Sequence, residues 1–168
     1  MARANYLASG RPGLPFSSKG VCRWMSSPTD LSLAALKRVG RFVKDHQRLV
    51  YHYPWQVAAR MDTYSDTDCA GCVRTMKSTS GGCVLLGRHF IKSWSSTQAS
   101  DSLISGESEY YGVVTAAGVS LGYQVLLRDL GYSLPVRVWT DATATMGICG
   151  RQGLGKVRHI DTQCFWIQ

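Results

Sequence analysis

The chain has 168 residues, enough for one ordinary domain with some excess and too few for two full ones. Its hydrophobic content of 45% supports a core of normal size. The six cysteines are irregularly spaced, which argues against a disulfide framework and favours reduced thiols in an intracellular protein. No apolar run approaches the roughly 18 residues that span a bilayer, so we expect neither a secreted nor a membrane protein.

The net charge of +8 is concentrated near the N-terminus. Residues 1–60 hold ten Lys/Arg and two acids, whereas residues 61–168 hold nine of each. A basic segment suits attraction to a polyanion such as a nucleic acid, although it also serves solubility. Four of the acids in the second part are candidate metal ligands, and two divalent cations would leave that part net basic.

The N-terminal part predicts a basic helical segment. Residues 1–20 fit either a weak organellar transit sequence or the interior of a longer polypeptide, and we favour the second interpretation. Pro28-Thr29-Asp30 opens a helix, after which apolar residues recur at helical spacing. We assign residues 1–56 to this helical extension and residues 57–168 to a second domain.

Strand patterns follow. Alternation predicts strands over 49–53 and 57–64, the second ending before an acidic turn that contains Asp66 and Asp68. The polar stretch 77–82 is expected to be a loop. Residues 83–86 and 90–94 predict a hairpin around Gly87-Arg88-His89, so that three consecutive strands form an antiparallel meander.

A long helix is predicted over about 103–130, and a fourth strand over 136–140 ends at Asp141. The helix face that carries Glu109 is mostly small, which would let the backbone approach a sheet; its members are Gly112, Val113, Ala116 and Ser120. A short helix through Gly147 and a Gly-rich basic loop follow. The order β-β-β-α-β-α predicts an α/β fold whose crossover helix places the fourth strand parallel to the first.

Four acids lie on different predicted elements: Asp66, Glu109, Asp141 and Asp161. They have little reason to converge unless they share cations, and carboxylate oxygens are the ligands that Mg²⁺ prefers. We hypothesise that they bind two Mg²⁺ ions, with Mn²⁺ as an alternative, and cleave a nucleic-acid backbone. Glu107 is the second-choice helical ligand, because Glu109 has the small residue three positions on.

Six ordered motifs resemble the ribonuclease H domain of copia-type retrotransposon polyproteins. They are Tyr64-Ser65-Asp66-Thr67-Asp68-x-Ala70-Gly71, Lys77-Ser78-Thr79-Ser80-Gly81, Ser93-Trp94-Ser95-Ser96, Glu107-Ser108-Glu109-Tyr110, Thr140-Asp141 and Lys156-Val157-Arg158-His159-Ile160-Asp161. Residues 20–53 similarly resemble the end of the preceding reverse transcriptase. Three departures stand out: Cys69 replaces the usual Trp, Gly106 replaces a better helix former, and the chain ends soon after Asp161, which removes most of the expected last helix.

The resemblance implies a ribonuclease H-like mixed sheet flanked by helices and endonucleolytic hydrolysis of the RNA strand of RNA–DNA hybrids. It implies Asp66, Glu109, Asp141 and Asp161 as catalytic metal ligands and an upstream reverse transcriptase in the same polyprotein as partner, with no small-molecule cofactor. Candidate phosphate contacts are Ser78, Thr79, Ser80, Arg151, Lys156 and Arg158. Asp68 is interpreted as a turn or supporting acid, and His159 is a candidate for product release or proton transfer.

Three alternatives remain open. An inactive retrotransposon remnant would keep the fold and bind nucleic acid, which Cys69 and the short C-terminus favour. An integrase- or transposase-type enzyme would share the fold, but such enzymes place the Glu late in the chain. A zinc module built on Cys69-x-x-Cys72 is weakly indicated, because no second pair has matching spacing.

Overall fold

The computed structural model describes residues 1–72, 74–153, 155, 160 and 162–168. Within these ranges the chain forms five α-helices, four strands and one short 3-10 helix. In chain order they are α1 Ala2–Ala8, α2 Pro15–Cys22, α3 Asp30–Asp45, β1 Met61–Asp68, β2 Thr79–Leu86, β3 His89–Thr97, α4 Ser105–Asp129, β4 Val136–Trp139, α5 Thr143–Cys149 and the 3-10 helix Thr162–Ile167. The α/β class predicted from the sequence is confirmed.

The four strands form one mixed sheet in the order β3-β2-β1-β4. β1 pairs antiparallel with β2 along its whole length, from Met61↔Leu86 to Asp68↔Thr79. β4 is parallel to β1, as predicted, but the ladder ends at the pair Tyr64↔Trp139. β1 therefore extends beyond β4, and its last residues have β2 on one side and no β4 partner on the other.

Two strand boundaries were predicted wrongly. The strand expected over 57–64 is β1, so Asp66 and Asp68 are strand residues and not turn residues. The loop expected over 77–82 is largely the first half of β2, where Ser80, Gly81 and Gly82 pair with β1. Ser, Gly and Asp have low strand propensity, but a continuous ladder beneath α4 overrides that preference.

The strand expected over 49–53 is also wrong, because no strand is assigned there. The alternating aromatic residues of this stretch instead contact the edge strand β3 through their rings. Tyr51 stacks on Phe90 at a centroid distance of 5.7 Å, and the Tyr53 hydroxyl donates to the Phe90 carbonyl at 3.0 Å. The alternation therefore reflects side-chain docking without a backbone ladder.

The predicted helix after Pro28 is α3, and its first turn is fixed by reciprocal caps. Thr29 Oγ1 accepts from the Ser32 N–H at 3.2 Å, and Ser32 Oγ accepts from the Thr29 N–H at 2.9 Å. Two shorter helices, α1 and α2, precede it, and α2 packs against β3. The N-terminal segment therefore lies against the sheet.

α4 packs along the sheet through the face of small residues predicted from the sequence: Gly112, Val113, Ala116 and Ser120 are all buried. Ser120 Oγ and Thr63 Oγ1 lie 2.6 Å apart. A Cβ atom on Gly112 would lie 2.5 Å from Thr67 Oγ1 and 3.0 Å from Ser65 Oγ. Glycine at this position lets α4 approach β1 more closely than a residue with a side chain would.

An apolar cluster of Tyr110, Ile148 and Ile160 joins the start of α4 to α5 and the C-terminal residues. The Tyr110 hydroxyl donates to the Cys164 carbonyl at 2.8 Å, and burial raises the pKa of Tyr110 to about 12. A Cβ on Gly106 would lie 3.2 Å from Ala144 Cβ, so the missing side chain leaves room for α5. These contacts fix the helical turn that carries Glu109.

From the sequence, no stretch was expected to be long and apolar enough to span a bilayer. α4 has the length and mean hydropathy of a helix that could cross a membrane, which is weak support because core helices pass the same test. Its buried residues include Glu107 and Glu109, and it packs along β1. In this structure α4 is the central helix of the fold.

A buried carboxylate ties β4 to β1. Asp62 is 7% exposed, and Trp139 Nε1 and Arg60 Nε each donate to it at 2.9 Å. Burial alone would raise the pKa of Asp62, but the hydrogen bonds from Trp139 and Arg60, with the charges of Arg60 and Arg137, outweigh it. The pKa of Asp62 therefore lies below its usual value.

We expect Asp62→Asn to lower the free energy of unfolding by about 1–2 kcal/mol at neutral pH, the lower part of the range for charged hydrogen bonds because Arg60 is half exposed. The folded-state pKa is depressed, so this contribution is present above the unfolded pKa and is lost as the pH falls through the folded value. Urea unfolding of the wild type and of Asp62→Asn, at pH values from neutral to below the folded pKa, measures the difference in stability. Exposed Asp101→Asn is the control and should leave the free energy of unfolding unchanged. If the wild type remained more stable than Asp62→Asn in acid, the Asp62 carboxylate would not be the source of the difference.

Candidate metal centre

Three of the four predicted metal ligands converge. Asp66 comes from β1, Glu109 from α4 and Asp141 from the residues after β4. One carboxylate oxygen of each lies within 4.8 Å of the others, with Asp66 and Asp141 exposed and Glu109 buried. The fourth predicted ligand, Asp161, lies outside the described residues, as do Lys156, Arg158 and His159.

The local sequence explains the convergence. Asp66 and Asp141 each lie two residues beyond the last β1–β4 pair, Tyr64↔Trp139, so parallel strands bring them to the same end of the sheet. Glu109 lies one helical turn before Gly112, where α4 comes closest to β1. The edge of β1 that β4 leaves unpaired is next to this turn, and there the three side chains meet.

The electrostatics of the site favour a bound cation. Burial raises the pKa of Glu109, the charges of Asp66 and Asp141 raise it further, and a hydrogen bond from the Thr67 backbone opposes the rise. Glu109 Oε2 is buried, and no described residue is a hydrogen-bond partner to it. In the described part of the chain the one salt bridge joins Arg60 to Asp62, so neither Lys nor Arg pairs with the three acids.

This donor set fits Mg²⁺. Carboxylate oxygens are hard donors, and Mg²⁺ usually binds one or two carboxylates while keeping several waters, which the two exposed acids allow. Oxygens on opposite sides of one Mg²⁺ lie about 4.2 Å apart, since each bond is about 2.1 Å. The carboxylate oxygens of the three acids lie within 4.8 Å of one another, which is close to that separation.

Glu107 does not join the cluster. It is 2% exposed, and its Oε2 accepts the Leu103 N–H at 2.9 Å just before α4, where the N-cap residue Ile104 provides no side-chain hydrogen bond. Asp68 ends β1 against Gly71, where a Cβ atom would overlap its carboxylate. Geometry therefore places Glu109, and neither of these two acids, beside Asp66 and Asp141.

The zinc module weighed as an alternative gains no support from the described residues. Among the described residues, the acid cluster is the one group of three or more His, Cys, Asp or Glu side chains close enough to share an ion. Cys69 and Cys72 are free thiols outside it.

The three predicted hydroxyl contacts to phosphate are turned to the protein interior, contrary to expectation. Ser78 Oγ accepts from the Ala70 N–H at 3.1 Å, Thr79 Oγ1 accepts from Lys19 Nζ at 2.8 Å, and Ser80 Oγ accepts from Gln98 Nε2 at 2.8 Å. All three residues are buried. Their hydroxyls form hydrogen bonds inside the protein, beneath α4 and beside α2. Composition alone does not show whether a polar residue forms such internal bonds or faces solvent.

Arg151, the remaining described phosphate candidate, is half-buried after α5. A Cβ on Gly155 would lie 2.8 Å from its guanidinium carbon, so the side chain packs closely on that glycine.

A groove of about 710 Å³ contains Asp66 and Asp141 and continues across the sheet face. Tyr64 and Trp139 line it, 45% and 43% exposed, with stacked rings 6.3 Å apart. This pair is not among the site residues predicted from the sequence. Each aromatic residue stands two positions before a clustered acid, so strand alternation already places it on the same face.

Known proteins resemble this chain over most of its length. It is 34% identical over 129 residues to the uncharacterised mitochondrial protein AtMg00810 of Arabidopsis thaliana, covering 74% of this chain and 52% of that protein. It is 31% identical over 167 residues to the retrovirus-related Pol polyprotein from transposon RE2 of the same plant, covering 97% of this chain and 11% of the polyprotein. It is 31% identical over 118 residues to the secreted RxLR effector protein 161 of Plasmopara viticola, covering 70% of this chain and 83% of that protein.

The similarity to the Pol polyprotein supports a copia-type Pol-derived region. This Pol-derived chain spans about half of the mitochondrial relative and about a tenth of the Pol polyprotein. No protein-family profile and no solved structure matches it. The relatedness to retrotransposon Pol polyproteins that the motifs indicate is thereby supported.

Proposed function

We propose that this Pol-derived region is a metal-dependent endonuclease that hydrolyses the RNA strand of RNA–DNA hybrids during retrotransposon reverse transcription. The observation that carries the proposal is the convergence of Asp66, Glu109 and Asp141 where β1 extends beyond β4. The motif resemblance supports the substrate class, and the Pol polyprotein relatives are consistent with a polyprotein context that includes a reverse transcriptase.

The three acids, joined by Asp161 on the resemblance alone, would hold Mg²⁺, which stabilises charge on a phosphate undergoing in-line displacement and makes water more acidic. Glu109 is shielded from solvent, while exposed Asp66 and Asp141 open toward the groove. Tyr64 and Trp139 offer an aromatic surface to sugars and bases beside that opening. The 2′-hydroxyl of the RNA strand is the group that distinguishes it from DNA.

The direct test uses an RNA–DNA hybrid with labelled RNA and Mg²⁺. We expect RNA fragments with 5′-phosphate and 3′-hydroxyl ends. Asp66→Asn should slow cleavage by about a thousandfold or more, because several kcal/mol of charge stabilisation are lost and each 1.36 kcal/mol is tenfold. Exposed Asp101→Asn is the matched control and should retain activity. If the wild type binds the hybrid and leaves it intact, the inactive-remnant alternative is correct.

A further inference from the structure

A second cavity, of about 640 Å³, lies between the end of α2 and the loop that joins β1 to β2. Arg23 and Trp24 line one side, and Cys72, Arg74 and Lys77 line the other. The Arg74 guanidinium lies over the Trp24 ring, 5.1 Å from its centroid. Among the described residues, the lining of the cavity therefore contains three cationic side chains, an aromatic wall and no acid.

Two of the cations of this cavity donate hydrogen bonds to neutral oxygens. Arg23 Nη2 donates to Thr97 Oγ1 at 2.6 Å, and Lys77 Nζ donates to the Ala99 carbonyl at 2.9 Å. Over the described ranges no carboxylate forms a salt bridge with any of them. Nearby, burial and the charge of Arg23 lower the pKa of Lys19 to about 8, and the negative charges of Asp68 and Cys72 offset this only in part. Like charges gathered in this way favour a bound anion.

We infer that this cavity, the Arg23–Arg74 pocket, binds a backbone phosphate of the nucleic-acid substrate other than the phosphate that is cleaved. Guanidinium groups match phosphate geometry, and an indole wall can stack on a base or sugar. β1 connects the two sites, because Asp66 belongs to the metal centre and the loop after Asp68 lines the pocket. The inference rests on the proposed function for the identity of the substrate.

The pocket also gives the N-terminal segment a role. Arg23 and Trp24 belong to the segment assigned from the sequence to a preceding domain, while Cys72, Arg74 and Lys77 belong to the sheet domain. Neither part alone forms the cavity. The segment resembling the end of a reverse transcriptase therefore contributes directly to binding.

The test measures binding of a fluorescent RNA–DNA hybrid by anisotropy at several salt concentrations, with the full chain carrying Asp66→Asn to suppress cleavage. Adding Arg23→Gln or Arg74→Gln should weaken binding about tenfold and reduce the slope of log K against log salt by about 1, as for one lost phosphate contact. Arg41→Gln, on exposed α3, is the matched control. Unchanged slopes in both pocket variants, or an equal change in Arg41→Gln, would overturn the inference.

A second readout uses the thiol in the pocket. Cys72 is buried but lines the pocket, and hydrogen bonds with Thr75 lower its pKa to about 7, so iodoacetamide that enters the pocket should label it near neutral pH. The hybrid should slow this labelling relative to Cys22, whose Sγ faces the Met1 carbonyl, while the same concentration of inorganic phosphate should not. Protection by phosphate alone would make the pocket a small-anion site and overturn the inference. If the slopes and protection are as expected but wild-type protein cleaves no RNA, the pocket stands and the nuclease proposal fails.

Discussion

Glu109→Gln should abolish Mg²⁺-dependent cleavage, whereas Glu107→Gln should retain it. Both residues are buried on α4, two positions apart, and both substitutions remove one charge. Glu109 has a carboxylate oxygen within 4.8 Å of Asp66 and Asp141, so its loss should slow cleavage by about a thousandfold or more. Glu107 accepts the Leu103 N–H, and its loss should cost about 1 kcal/mol of stability.

In EDTA, the two substitutions should change the stability of the folded protein in opposite directions. The pKa of Glu109 is raised, first by burial and then by Asp66 and Asp141, so the ionised carboxylate destabilises the folded state above that pKa. Glu109→Gln should therefore be more stable than the wild type at pH 7 without metal, and Glu107→Gln less stable. Added Mg²⁺ should raise the Tm of the wild type and of Glu107→Gln but not of Glu109→Gln.

Thermal unfolding with and without Mg²⁺, together with the hybrid cleavage assay, measures all of these effects. Loss of cleavage and of the Mg²⁺ effect in Glu107→Gln, with both retained in Glu109→Gln, would make Glu107 the ligand. If Mg²⁺ raised the Tm of both variants as it does that of the wild type, the ion would bind elsewhere.

Glu109 and Asp141 could be predicted because local signals place them, whereas Asp66 was expected in a turn and lies on β1. Glu109 has Gly112 one turn later on the same helix face, and Asp141 follows a short β-branched strand. The crossover rule then puts the fourth strand beside the first. Two carboxylates from distant parts of the chain are thereby fixed by helix periodicity, strand pairing and chirality, all of which the sequence shows.

The first half of β2 could not be predicted in the same way. Thr79, Ser80 and the two glycines after them favour a loop by propensity, and only their register against β1 and the cover of α4 make them a strand. The same long-range packing buries their hydroxyls, which is why a polar stretch expected to face phosphate faces the interior. The sequence also does not show which basic residues contact the rest of the protein and which face solvent. Arg23 donates a hydrogen bond to Thr97 on β3, whereas Arg41 on α3 is exposed.

Gly112→Ala should be less stable than Gly118→Ala by about 1–3 kcal/mol, the usual cost of overpacking. Both glycines lie inside α4, so both substitutions gain about 1 kcal/mol of helix propensity. At position 112 the new Cβ would lie 2.5 Å from Thr67 Oγ1 and 3.0 Å from Ser65 Oγ, short side chains on a paired strand that cannot move away. At position 118 a Cβ meets nothing within 4 Å, so only the propensity gain remains. Urea unfolding of the two variants measures the difference.

The clash at Gly112 should also reach the metal centre, because Thr67 follows Asp66 and Gly112 lies one turn after Glu109. Relief of the clash by moving α4 away from β1 would separate Glu109 from Asp66, so Gly112→Ala should weaken Mg²⁺ binding while Gly118→Ala leaves it unchanged. Adding Thr67→Ala removes the hydroxyl that the new methyl meets, and the double variant should recover part of both losses, as a positive coupling in a double-mutant cycle. Equal stability of the two single variants would show that α4 does not depend on close approach at Gly112. Additive effects of Gly112→Ala and Thr67→Ala would show that the two residues are not in contact.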